Sequence, residues 1–63
     1  NQLMQEAMSR LPEIYRQVIT LKVWGELTFA EIAAALEIPP NTAASRYRHG
    51  LAELRKSAGK LLL

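Results

Sequence analysis

Sixty-three residues with a formal net charge of +2, 49% apolar, 6% aromatic and without cysteine, set the size of one small domain with no disulfide and no thiolate metal site. No run approaches the roughly 20 apolar residues that a bilayer span needs, and the N-terminus lacks the charged-then-apolar order of a signal peptide, so a soluble, cytoplasmic protein without a membrane role is expected. The chain opens on Asn1 rather than Met, which leads us to expect a piece of something longer.

Apolar residues recur at helical rather than two-residue spacing, which predicts an all-α fold. Leu3, Met4, Ala7, Met8 and Leu11 stand at steps of three and four and line one face of a first helix. Leu11-Pro12-Glu13 reads as a restart, with proline at the first helical position and Glu13 at the positive end of the helix dipole. Ile14, Tyr15, Val18, Ile19 and Leu21 or Val23 then give an apolar stripe, and Gly25 is placed to end this second helix in a left-handed conformation. Thr28-Phe29-Ala30-Glu31 matches a capping box and starts a third helix whose inner face is Ile32, Ala33 and Leu36.

Glu37-Ile38-Pro39-Pro40 forbids continuation, because proline excludes the helical region for the residue before it; Pro40 then falls at or next to the first turn of a fourth helix. That helix is predicted from about residue 40 to about residue 58, holding Gly50 at a cost of about 1 kcal/mol and stopping before Gly59. Its packing face is Ala43, Tyr47, Gly50, Leu51, Leu54 and Ala58, and its other side carries Asn41, Ala44, Ser45, Arg48, Ala52 and Arg55. Leu61, Leu62 and Leu63 read as an apolar tail or a contact surface.

Charge divides along the chain. Residues 1–37 hold Arg10, Arg16 and Lys22 against Glu6, Glu13, Glu26, Glu31 and Glu37; residues 38–63 hold Arg46, Arg48, Arg55, Lys56 and Lys60 against Glu53, with His49 besides. A positive field on the last segment suits a polyanion, and equally a solvated basic helix.

Two helices joined by a short turn, the second amphipathic and basic, have the layout of a helix-turn-helix DNA reader, spanning about residues 28–50. Ala33 sits where the two helices cross, Leu36 and Ile38 flank the turn, and Ala43 points back into the first helix. Leu11-Pro12-Glu13 followed by Arg16, the Gly25-x-Leu27-Thr28 turn, Glu31-Ile32-Ala33, Ile38 with Thr42, Ser45-Arg46 and the closing Leu51 to Leu54 segment together make residues 11–56 resemble region 4 of a bacterial sigma factor, most of all the extracytoplasmic-function group. The resemblance implies a four-helix domain over residues 1–63, without winged elements, that reads the minus-35 element of promoters during transcription initiation. It implies promoter DNA and RNA polymerase core (the β-subunit flap) as partners, an anti-sigma factor as a further one, and nucleoid association within the holoenzyme.

The sequence departs from the pattern in three places. Glu37 stands where the family usually has glycine, so the backbone there must avoid a left-handed conformation or bear its strain. Pro39 stands where a serine often caps the recognition helix, a loss worth about 1 kcal/mol that Asn41 would partly replace by a register shift. Ala43 and Ala44 replace a bulkier aliphatic and a polar or basic residue.

The DNA-contacting set expected from this reading is Thr28, Pro40, Asn41, Thr42, Ala44, Ser45, Arg46, Arg48 and His49. Arg48 is placed for a bidentate contact to guanine or for a phosphate; Ala44 offers a methyl. Arg46 either pairs with Glu31 to brace the two helices or meets a phosphate, and His49 approaches phosphate. Thr28 and the free N–H groups after it can hold a phosphate at a helix start. Arg55, Lys56 and Lys60 read as a solvated face. Trp24, Tyr15 and Tyr47 read as core packing rather than a stacking platform, with Trp24 and Val23 as a polymerase or anti-sigma docking spot should they prove exposed.

Nothing supports an enzyme: there is no His-Asp-Ser set, glycine-rich phosphate loop or clustered carboxylate pair, and no cofactor, metal or small-molecule substrate is implied. Two other readings stay open. One is a response-regulator type helix-turn-helix output domain, which Leu11-Pro12-Glu13 disfavours. The other is an interaction module for polymerase or an anti-sigma factor whose DNA face has weakened.

Overall fold

The computed structural model describes residues 2–62, and the side chains only as far as Gly59. The leucines at 61–63 and the Lys60 cation, singled out above, therefore lie outside the described residues and side chains. All regular elements of the described part are helices: α1 (Gln2–Ser9), α2 (Glu13–Val23), α3 (Phe29–Leu36) and α4 (Pro40–Leu62). None is long and apolar enough to cross a membrane.

α4 is the spine. Its 23 residues run about 34 Å at 1.5 Å per residue, close to the 37 Å long axis of the molecule. α1, α2 and α3 all pack along it, and α2 also packs on α3. The helix does not stop before Gly59 as expected. A lone helical glycine costs about 1 kcal/mol, and with nothing within 4 Å of its would-be Cβ Gly59 imposes no break.

Two buried clusters divide the spine. Ala7, Met8, Leu11, Ile19 and Leu54 form one, joined by Leu51 and Ala58. Val18, Ile32, Ala33 and Ala43 form the other, joined by Leu21, Leu27, Phe29, Leu36 and Ile38. Tyr47 packs against both. The alanines of the second cluster let α3 and α4 approach closely, as read from the sequence: Ala33 is 4% exposed and Ala43 fully buried.

Gly50 has a comparable role that the sequence did not show. A Cβ there would lie 2.8 Å from Ile19 Cδ1 and 3.0 Å from Tyr15 Cβ, so the missing side chain is what seats α4 on α2. Its position on the apolar face of an amphipathic helix was the available signal.

The helix ends correct three further expectations. Pro12 is the N-cap of α2, at φ −54° and ψ 147°, not its first helical residue; its carbonyl accepts from Tyr15 and Arg16 N–H at 3.1 Å each. Gly25 is not left-handed. α2 keeps turning right-handed through Trp24, Gly25 N–H donates to Thr20 O at 3.1 Å, and the reversal comes one residue later at Glu26, φ 55°. Glycine is needed at 25 because a Cβ would meet the Leu21 carbonyl oxygen at 2.7 Å. Finally, Ile14, placed on the α2 stripe, is exposed, and of the alternatives Leu21 and Val23 it is Leu21 that faces inward with Tyr15, Val18 and Ile19.

Candidate nucleic-acid interface

The turn that aims α4 is built from both sides. At the start of α3 the capping box forms as the sequence predicts: Glu31 N–H donates to the Thr28 hydroxyl at 3.1 Å and Thr28 N–H donates to Glu31 Oε1 at 2.7 Å. Hydrogen bonding from the Thr28 backbone N–H and from its side chain, helped by the Lys22 charge, holds the Glu31 carboxyl below the usual glutamate range. The box also alters the expected phosphate role of Thr28. Its N–H is already spent on a carboxylate, and that negative charge sits where an anion would approach.

At the other end α3 stops on Glu37, which takes φ 57° and ψ 47°. The chain bears the left-handed strain here rather than avoiding it, a cost of about 1–2 kcal/mol for a residue with a Cβ. The gain is a closed turn: Glu37 N–H donates to Ala33 O, as does Ile38 N–H at 3.0 Å, so one carbonyl of the last turn of α3 takes two donors. Ile38 then tucks against the α3–α4 cluster. Pro40 opens α4, and the Pro39 carbonyl accepts from Thr42 and Ala43 N–H at 3.0 and 3.1 Å. Asn41 lies inside the first turn, after Pro40, so it does not become the N-cap; a backbone carbonyl, not a side-chain hydroxyl, closes this end.

The residues expected to meet DNA are placed on the first three turns of α4. Pro40, Asn41, Arg48 and His49 are exposed; Thr42, Ala44, Ser45 and Arg46 are half-buried. Thr28 is exposed at the head of α3. The expected brace between Arg46 and Glu31 does not form, since the Glu31 carboxylate is held by Thr28. Among the described residues the ion pairs are Arg16 with Glu13 and Lys56 with Glu53, the latter at 3.6 Å. Arg46, Arg48 and His49 therefore carry no carboxylate partner there. No group of acidic, histidine or cysteine side chains that could hold a metal occurs among the described residues.

The comparisons now bear on this geometry. Residues 1–54 match the family described as "Sigma-70, region 4". The chain belongs to that family. This region 4 chain is 42% identical over 52 residues to the ECF RNA polymerase sigma factor SigW of Bacillus subtilis (strain 168), covering 82% of this chain and 28% of that protein. It is 39% identical over 56 residues to the ECF RNA polymerase sigma factor RpoE of Cereibacter sphaeroides, covering 89% of this chain and 31% of that protein. The chain thus spans under a third of the length of these curated relatives. No solved structure matches it. Membership of the family disfavours the response-regulator reading.

Away from α4's first turns, this region 4 fold carries exposed apolar side chains at the end of α2. Trp24 is 60% exposed and Val23 49%, which corrects the expectation that Trp24 packs in the core: α2 ends at Val23, and Trp24 leaves the helix on its outer side. Tyr15 and Tyr47 are half-buried as expected. Trp24 walls an open groove between α1 and α2 of about 480 Å³, with Met4, Met8, Arg16 and Thr20 among its other walls.

Proposed function

We propose that this chain is the promoter-reading part of a sigma factor, binding the minus-35 element while held on RNA polymerase core. The observation that carries the proposal is the set of cations on the first turns of α4 that no carboxylate neutralises among the described residues, on a helix packed closely on α3 where Ala33 and Ala43 are buried. Asn41, Thr42, Ala44, Ser45 and Arg48 face base edges in the major groove, and Arg46 and His49 meet phosphates. Arg48, one turn beyond Ala44 and Ser45, is the residue assigned to guanine. Pro40 sets the approach of the first turn. Thr28 contributes at the α3 head through contacts weaker than a free helix start would give.

The groove at Trp24 supports the second half of the reading. The exposed Trp24 and Met4, with Val23 beside them, make an amphipathic helix of the polymerase core, the β-subunit flap, the fitting occupant, and an anti-sigma factor would compete for the same face. Selection of bound sequences from a random duplex pool by the full-length protein in holoenzyme tests the proposal. A recovered motif at minus-35 spacing is expected, and a pool that stays random would overturn it.

A further inference from the structure

Lys22 is at first sight a spare cation on α2, yet its ammonium has three partners, all at the head of α3. It donates to the Leu27 carbonyl at 3.2 Å, lies 4.5 Å from the centroid of the Phe29 ring, and acts electrostatically on Glu31 of the capping box. The Phe29 ring in turn meets Tyr47 of α4 edge-on, with centroids 5.5 Å apart. Tyr47 lies on the seam between the two buried clusters and one turn from Ala43 and Ala44. α2, the head of α3 and the recognition helix are thus joined by one cation–ring–ring line, which does the bracing that an Arg46–Glu31 pair would otherwise have done.

We propose that Lys22 is a positioning residue for sequence reading: through Phe29 and Tyr47 it fixes the angle at which the first turns of α4 enter the groove, without touching DNA itself. The inference rests on the promoter-binding reading. Its chemistry is specific. A cation over a ring face is favoured by the ring quadrupole, and the same quadrupole favours the edge-to-face meeting with Tyr47. Loss of the cation frees Phe29 to tilt, and Tyr47 follows. Phosphate contacts tolerate a small tilt because they are long-range and forgiving, whereas bidentate base contacts do not. The expected signature is lost discrimination with retained general affinity.

Lys22→Met keeps the stem and removes the charge; Lys22→Arg restores a cation; Phe29→Leu keeps apolar volume and removes the ring. In the full-length protein within holoenzyme, Lys22→Met and Phe29→Leu are expected to lower the ratio of selected-site to random-duplex affinity about five- to tenfold, with the salt slope unchanged and Lys22→Arg within about twofold of wild type. Equal loss on both duplexes with a salt slope smaller by about one would make Lys22 a phosphate contact instead. An unchanged ratio with only a lower melting temperature would make it merely structural. Either result overturns the proposal. Amide shifts of residues 41–48 in the labelled full-length protein give a readout free of DNA: they move in Lys22→Met and return in Lys22→Arg, or the line does not exist. Should wild type discriminate no duplex, this readout still decides the positioning claim while the promoter reading fails alone.

Discussion

The two ends of the α4 spine are packed on opposite principles. Around α3 and the start of α4 the core is made small, with Ala33 and Ala43 buried at the crossing beside Val18 and Ile32. Around α1 it is filled, beside the buried Ala7, by the larger Met8, Leu11, Ile19 and Leu54, while Met4, Ile14, Val23 and Trp24 stay exposed. A close crossing of alanines leaves little room for adjustment, which suits a helix that must present side chains at fixed positions. Longer flexible side chains, some still open to solvent, suit a surface that is completed by another molecule.

The contrast is most easily broken at the crossing. Ala43→Leu inserts three carbons where there is no space and is expected to destabilise by about 2 kcal/mol, read by chemical denaturation, and to abolish duplex discrimination in the fraction that folds. The turn offers a change of opposite sign. Glu37→Gly removes the left-handed strain and is expected to raise stability by about 0.5–1 kcal/mol, with the glycine's greater freedom in the unfolded chain offsetting part of the gain; a loss of stability would mean that the Glu37 side chain contributes something its backbone angles do not show.

Acid should weaken the α3 head more than the α1 end. Because the Glu31 carboxyl is held below its ordinary range by Thr28 and Lys22, its ionised form favours the folded state. That contribution is complete above the ordinary glutamate value and is lost as pH falls through the lowered folded value. Glu31→Gln should therefore flatten the acid limb of a stability–pH curve, and an unchanged limb would show that the box does not act through charge. The smallest effect on stability belongs to the Trp24 groove: Trp24→Ala should change unfolding by no more than about 0.5 kcal/mol, leave duplex discrimination intact and weaken binding to core polymerase. Normal core binding would remove Trp24 from the docking face.

What the sequence disclosed depended on how local each cause was. The capping box, the Pro39-Pro40 boundary and the inward Ala33 and Ala43 follow from a few neighbouring residues, and each stands where the pattern put it. The candidate cations were legible as a charge imbalance. Misreadings arose where residue type and propensity alone did not decide. Gly25 was assigned the reversal by propensity, but the Leu21 carbonyl forbids a side chain there and Glu26 turns instead. Of the two uses open to Arg46, the brace to Glu31 falls away because a carboxylate three residues from a backbone donor is held first by that donor. Trp24 was assigned to packing by residue type, and its exit at the end of α2 leaves it outside. Lys22 gave no signal, since its ring partner becomes a neighbour only after the 24–28 turn has folded.

Promoter reading by this domain requires that the unpaired cations of α4 meet DNA. Affinity of the holoenzyme for its selected duplex, measured against salt for wild type, Arg46→Ala and Arg48→Ala, tests it most directly. Arg46→Ala should lower the salt slope by about one and weaken all duplexes alike, while Arg48→Ala should cost about 1–3 kcal/mol at the selected site and relax one base position. Wild-type slope and affinity in both variants would contradict it.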